Sequence, residues 1–190
     1  LITSSASVNA DLVHDTKIFQ KLGFHIETLL APEHGIWGNI PAGEDVNDGI
    51  DRVTGLPVSS LYNDERKNLS KEVIGKLDII VYDIQDVGSR FYTYISLLKN
   101  VMKDCKNAGL PLLILDRINP LGSKVEGNIL KEDYFSYVGT AALPQRYGLT
   151  VGELSRLFDS EIGLKDKLHI LKVLNRDRNK VFPETGLVFM

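Results

Sequence analysis

Apolar residues recur along this chain in two rhythms that alternate from one end to the other. Short continuous runs such as LDIIVYDI and PLLILD read as strands buried on both faces, while apolar positions spaced by three and four read as helices packed on one side. The opening LITSSASV is a strand by this reading. The segment NADLVHDTKIFQKLG follows as a helix, with Asp11 as its cap, Leu12, Phe19 and Leu22 on one face and Gly23 in the stop position. A strand is predicted from about Phe24 to Leu30, another near Val58 to Leu61, and a short helix from about Ser70 to Gly75. Between the first two of these lies a glycine- and proline-punctuated stretch from Ala31 to Pro57, and loops of that length in a compact domain are usually functional or mobile. LDIIVYDI is then a central strand. Phe91, Ile95, Leu98, Met102 and Cys105 mark a long helix from Phe91 to Ala108 that stops at Gly109, followed by the strand PLLILD. TVGELSRLF opens a helix with a capping box from Thr150 to Glu153 and Leu154, Leu157 and Phe158 facing inward, and KLHILKV is a late strand.

Strands alternating with helices imply right-handed crossovers and a mainly parallel sheet covered on both faces, so the fold class is α/β, a Rossmann-like three-layer sandwich. The first strand-to-helix turn, SSASVNAD, lacks the glycines that let a backbone approach a pyrophosphate, and no Walker-type loop is present. A length of 190 residues suits one such domain. The net charge of −3, with Lys and Arg scattered, gives no electrostatic basis for nucleic-acid binding. No apolar run is long enough for a membrane-spanning segment. Cys105 is the single cysteine, expected on a core face, and it leaves the cellular compartment open. The chain starts inside a strand and stops on the apolar VFM, which suggests the front part of a longer protein.

Three predicted strands run straight into carboxylates. IETLLAPEHG reaches Glu33, LDIIVYDIQD reaches Asp83 and Asp86, and LPLLILDR reaches Asp116. Ligands of open α/β sheets sit at the carboxyl ends of the strands, so acids distant in sequence would share one crevice there. Glu33, in a Pro-Glu-His-Gly turn, reads as a general acid or base, or else as a turn cap; His34 would bind or orient its neighbour. DIQDVGSRFYTYIS gathers Asp83, Gln85, Asp86, Ser89, Arg90, Tyr92 and Tyr94, a pocket unless it is only helix capping with a surface Asp–Arg pair. Asp116 and Arg117, with Asn119 and Glu126 on the following loop, could hold substrate hydroxyls or lock that loop. Arg146 can fork onto a carboxylate. His34, Asp83, Asp86 and Asp116 could instead bind a metal, but no compact ligand spacing supports a metal site, and no Gly-x-Ser-x-Gly elbow follows a strand.

In order along the chain, LAPEHGIWG…AGE, TGLPVSSLY, DIQDVGSRFYTYI, LDRINPLG…VEGNIL and RYGLTVGEL resemble the NamZ-type exo-β-N-acetylmuramidases, and these motifs cover most of the sequence. The resemblance implies a Rossmann-like catalytic domain over residues 1–190, followed by a smaller C-terminal domain with the cleft between them. It implies a secreted, periplasmic or lipid-anchored glycosidase that needs no cofactor and removes β-linked N-acetylmuramic acid from the non-reducing ends of peptidoglycan fragments. In such an enzyme Glu33 would protonate the glycosidic oxygen, and Asp86 or Asp83 would activate water or stabilise the transition state, unless the sugar's own N-acetyl group assists. Arg90 and Arg146 suit the lactyl carboxylate, and Tyr92 and Trp37 offer flat faces to the sugar ring. Trp37 and Tyr147 stand where the family more often has Arg and His. The competing expectations are a non-catalytic module that binds muropeptides or another anionic sugar, and a metal-dependent hydrolase.

Overall fold

The computed structural model describes residues 1–63 and 68–187. Seven strands, β1 (Ile2–Thr3), β2 (Leu29–Ala31), β3 (Gly49–Ile50), β4 (Pro57–Ser60), β5 (Ile80–Asp83), β6 (Leu112–Leu115) and β7 (Leu168–Leu171), form one sheet in the order β3-β4-β2-β1-β5-β6-β7. All pairings are parallel except β3 with β4. Without the β3 edge, the order is that of a doubly wound sheet, whose direction reverses between β1 and β5. The α/β class and the mainly parallel sheet read from the sequence are therefore present.

Alternating residues of the strands explain the layers. Leu30 of β2 joins the larger core with Ile2, Ile80, Tyr82, Leu112 and Ile114, whereas its neighbours Leu29 and Ala31 face a smaller core on the other side. The helices α2 (Lys71–Ile74), α3 (Tyr94–Ala108) and α4 (Val151–Ile162) supply the larger core through Val73, Leu98, Met102, Leu154 and Phe158. On the opposite face, α1 (Asp15–Lys21) contributes Phe19. Coverage is unequal: Leu113 and Leu115 of β6 are half-buried on that face, and Leu171 of β7 is exposed. Cys105 sits in the larger core, where burial, and then the Asp104 charge, push its thiol up to about 12 and remove it as a nucleophile.

Several boundaries differ from those expected. The first helix begins after His14 rather than Asp11, because Asn9 Oδ1 accepts the amides of Asp11 and Val13 and holds a turn in which Leu12 adopts φ 59°. Leu12 and Leu22 are exposed. The second strand is limited to Leu29–Ala31, and the stretch between Ala31 and Pro57 contains the short strand β3. The long helix begins at Tyr94, not Phe91, since residues 89–92 form a turn closed by Tyr92 N–H on the Ser89 carbonyl. Its Gly109 stop holds, at φ 68°. The Thr150–Glu153 capping box is present in both directions, with Leu154 and Phe158 buried, whereas Leu157 faces solvent.

Candidate active site

Glu33 leaves β2 through Pro32 and is nearly enclosed, at 9% exposure. Its side chain is held by neutral donors: Thr93 Oγ1 donates to Oε2 at 2.5 Å, and the Gly43 amide reaches Oε1 at 3.3 Å. Thr93 is the N-cap residue of α3, a position where a threonine hydroxyl ordinarily satisfies the helix's own amides. Here it makes no capping bond. Helix-end satisfaction has been given up to fix a carboxylate that comes from the far side of the sheet's reversal point.

Phenols surround this group. Tyr94 donates to the Glu33 carbonyl at 3.3 Å, Tyr82 donates to the Tyr94 carbonyl at 3.0 Å, and Tyr92 meets Tyr94 edge-on at 4.6 Å between centroids. Tyr137 lies within electrostatic reach of Glu33 and meets Tyr62 at 5.8 Å between ring centroids, the planes tilted by 51°. Tyr92 and Tyr94 stand within reach of both Glu33 and Asp86. Six of the seven tyrosines, all but Tyr134, thus converge on one region. Burial above all, with the nearby carboxylates adding to it, raises the hydroxyls of Tyr92, Tyr94, Tyr137 and Tyr147, so the phenols are neutral donors.

Asp86 is the second acid of this region and is 4% exposed. Its Oδ2 accepts the Tyr147 hydroxyl and, at 2.8 Å, the Gly88 amide, while Oδ1 is enclosed without a partner. Burial raises its pKa despite those hydrogen bonds. The turn that presents Asp86 requires a glycine: Gly88 has φ 79°, and a Cβ there would lie 2.2 Å from Asn119 Oδ1. His34 and Gly35 both adopt left-handed backbone, at φ 69° and 73°, and His34 Nδ1 meets the Ile40 carbonyl at 3.0 Å, closing the loop that follows Glu33.

Other residues expected at a substrate site have a different use. Asp83 sits under the reversal point, 4% exposed, with Oδ1 and Oδ2 on Arg117 Nε and Nη2 at 2.5 and 3.0 Å. Burial raises its pKa, and the guanidinium pulls it back only in part. Arg117 therefore pairs with Asp83, not with Asp116. Asp116 accepts the Gly152 amide at 2.7 Å and the Thr150 hydroxyl at 3.1 Å, holding the start of α4. Arg90, expected to meet an anionic substrate, is 4% exposed, and its Nη1 binds the carbonyls of Asn128 and Leu143 at 2.7 and 2.6 Å. Asn119 donates to the Leu149 carbonyl and accepts from the Leu121 amide, both at 2.9 Å. Arg146 pairs with Glu126 at 2.7 Å and with the Leu121 carbonyl, and Lys124 holds the other Glu126 oxygen at 2.6 Å. Asp83, Arg90, Asp116, Asn119, Glu126 and Arg146 thus brace the loops behind the site.

The structure brings together Glu33, Asp86, Tyr92 and Tyr94 from the expected set. It adds Thr93, Tyr137 and Tyr147. Tyr94 was legible in the tyrosine-rich exit of β5, whereas Tyr137 and Tyr147 arrive from distant segments that carry no such local signal. Among the described residues no three His, Cys, Asp or Glu side chains converge as metal ligands, and no helix is long and apolar enough to cross a membrane.

The fold and the site define a doubly wound α/β domain with acidic groups set among phenols at the carboxyl edge of its sheet. Its sequence matches, over residues 1–190, the family described as exo-beta-N-acetylmuramidase NamZ, N-terminal, and the chain belongs to that family. It is 40% identical over 192 residues to the peptidoglycan beta-N-acetylmuramidase NamZ of Bacillus subtilis (strain 168), a match that covers 100% of this chain and 46% of the relative. Two crystal structures of DUF1343 family proteins from Bacteroides fragilis NCTC 9343 share the fold. One has a TM-score of 0.88 at 34% identity, over 100% of this chain and 48% of its own; the other has 0.79 at 32%, over 95% and 48%. The chain spans about half the length of the relatives it matches.

Proposed function

We propose that these residues form the acid-bearing half of an exo-β-N-acetylmuramidase, which releases β-linked N-acetylmuramic acid from the non-reducing ends of peptidoglycan fragments. The observation that carries the reading is Glu33: a carboxylate at a strand end, nearly enclosed, and gripped by a helix-cap threonine at 2.5 Å. Family membership and the named activity of the Bacillus subtilis relative support the choice of sugar.

In this reading Glu33 protonates the leaving glycosidic oxygen through Oε1, the oxygen with only a long 3.3 Å contact. Both oxygens of Asp83 are occupied by Arg117, so Asp86 is the acid that accompanies Glu33. Enclosed and hydrogen-bonded to Tyr147, Asp86 fixes the tyrosine array and stabilises positive charge developing on the sugar ring. The phenols offer apolar faces to the ring and hydroxyls to its polar edge. The second half of the protein's length closes the cleft and supplies the contacts to the lactyl carboxylate that Arg90 and Arg146, already engaged, leave open. A peptidoglycan substrate assigns the work to the outside of the cytoplasmic membrane, in an exported or lipid-anchored protein.

The test is hydrolysis of a chromogenic β-N-acetylmuramide beside its N-acetylglucosaminide counterpart, by the full-length protein, with a chelator control. Release from the muramide alone, insensitive to chelator, is the expected result. Binding of muropeptides without release would replace the enzyme by a binding module, and loss of turnover with chelator would bring a metal into the mechanism.

A further inference from the structure

The loop that follows Glu33 rests on a second polar cluster, which the proposed chemistry does not use. His14, the residue just before α1, is 8% exposed and lies between β1, α1 and that loop. Its Nε2 meets the Ser4 carbonyl at 3.0 Å, and a carbonyl can only accept, so this nitrogen carries a proton. Its Nδ1 meets Asp15 Oδ1 at 3.0 Å and Thr16 Oγ1 at 2.9 Å. The Thr16 amide also donates toward Nδ1 as the N-cap bond of α1, but at 3.4 Å this is the longest of the three contacts. A lone pair on Nδ1 would point at a buried carboxylate. Asp15 Oδ1 also accepts from Thr3 at 2.8 Å, and its Oδ2 is buried with no partner, which leaves the carboxylate's charge to be met by the imidazole.

The same ring packs on Trp37, four residues beyond Glu33, at 4.7 Å between centroids and with the two planes tilted by 39°. Trp37 Nε1 donates to Asp51 Oδ1 at 2.7 Å, so the indole is clamped between His14 and the turn before β4. Gly38 packs on Ser5, where a Cβ would come to 3.0 Å of the hydroxyl.

We propose that His14 is a positioning residue for Glu33: a hydrogen-bonded imidazolium whose ring supports Trp37, so that its deprotonation loosens the loop that aims the carboxylate. The inference rests on the muramidase reading only for its effect on turnover. The charged groups facing His14 are Asp15 from α1 and Asp83 from the end of β5, the latter already paired with Arg117; beyond Trp37 stands Asp51. Burial opposes the positive charge, but Asp15, the Ser4 carbonyl and Asp83 outweigh it and raise the pKa above the ordinary histidine value. The sign follows: a raised folded-state pKa adds stability that is fully present below the unfolded value and is lost as pH rises through the folded one.

The experiment uses the full-length protein. Trp37 emission is isolated as the difference from Trp37→Phe, and the His14 ring by isotope-labelled histidine spectra compared with His14→Gln. A protonated imidazole quenches a neighbouring indole, so both signals should titrate together, with a midpoint above that of an ordinary histidine. Beyond the alkaline loss that deprotonation of Glu33 itself causes, which His14→Gln retains, kcat of the parent should fall about a further tenfold on the same curve while KM stays nearly constant, as expected of a misaimed acid. Asp15→Asn, which keeps the shape of the site, should move the spectral midpoint and the alkaline limb down together. A His14 ring that stays neutral at every pH where the protein is folded, a Trp37 signal that ignores the His14 titration, or an alkaline limb unmoved in Asp15→Asn overturns the proposal. If the parent releases no muramic acid at any pH, the muramidase reading falls, and the spectra alone then decide whether His14 is the cation that supports Trp37.

Discussion

Two acidic corners lie at the carboxyl edge of this sheet, and they use their carboxylates in opposite ways. At the end of β5, Asp83 meets Arg117 in a two-pronged ion pair with little solvent access. At the end of β2, Glu33 meets a hydroxyl, a distant amide and a ring of phenols. An acid that must exchange a proton with a ligand cannot have both oxygens tied to a guanidinium, because releasing it would strand a buried charge. Position at a strand end therefore selects candidates, and the charge of the partner decides between them. Asp86 lies between these extremes, enclosed like Asp83 but bonded to a phenol and an amide.

The contrast can be broken in order of effect. Replacing Glu33 with Gln in the full-length protein should cut the proposed turnover by about 10²–10⁴-fold with an unchanged urea midpoint, the size expected for loss of general acid catalysis. Near-normal turnover would remove Glu33 from the chemistry. Asp83→Asn should instead destabilise the fold by about 3–5 kcal/mol, because Arg117 loses its buried partner; equilibrium unfolding measures this, and a loss of activity at full stability would reverse the roles assigned to the two corners. Tyr147→Phe should cost about 1–3 kcal/mol by removing a donor from the buried Asp86. Turnover should drop less than for Glu33→Gln, and an equal drop would give Asp86 and its phenol as large a share in the reaction as Glu33.

The mildest change lies outside both corners, at Glu153. Burial works against its charge, but the Thr150 amide together with Arg176 and Arg178 lowers its pKa on balance. A lowered folded-state value means stability that is present above the unfolded pKa and lost as pH falls through the folded one. The gap in urea midpoint between the parent and Glu153→Gln should thus be small near neutrality and vanish in acid. A gap that grows with acid would contradict that sign.

Much of the scaffold was legible because it depends on local pattern. The buried runs of β5 and β6, the three-and-four spacing of α3 and the capping box of α4 all identify themselves without reference to the rest of the chain. What the sequence could not show depends on register. Arg117 finds Asp83 because β5 and β6 lie side by side with Tyr82 opposite Ile114, an alignment that no local signal encodes. The same holds for Tyr147 reaching Asp86 across 61 positions of sequence. The start of α3 was misplaced because Phe91 continues the helix's apolar spacing although residues 89–92 close a turn, and at the true N-cap the Thr93 hydroxyl goes to Glu33 rather than to the helix's own amides.

The crowding of tyrosines also sets how the molecule would respond to chemical labelling. Tyr134 is 69% exposed, whereas Tyr82, Tyr94 and Tyr147 are at 1%, 6% and 4%. A reagent that modifies phenols by access would mark Tyr134 first, reach the half-buried Tyr62, Tyr92 and Tyr137 more slowly, and spare Tyr82, Tyr94 and Tyr147. One tag could then be attached to the folded protein without entering the site, and the order in which further rings became reactive during unfolding would record the sequence in which the cluster comes apart.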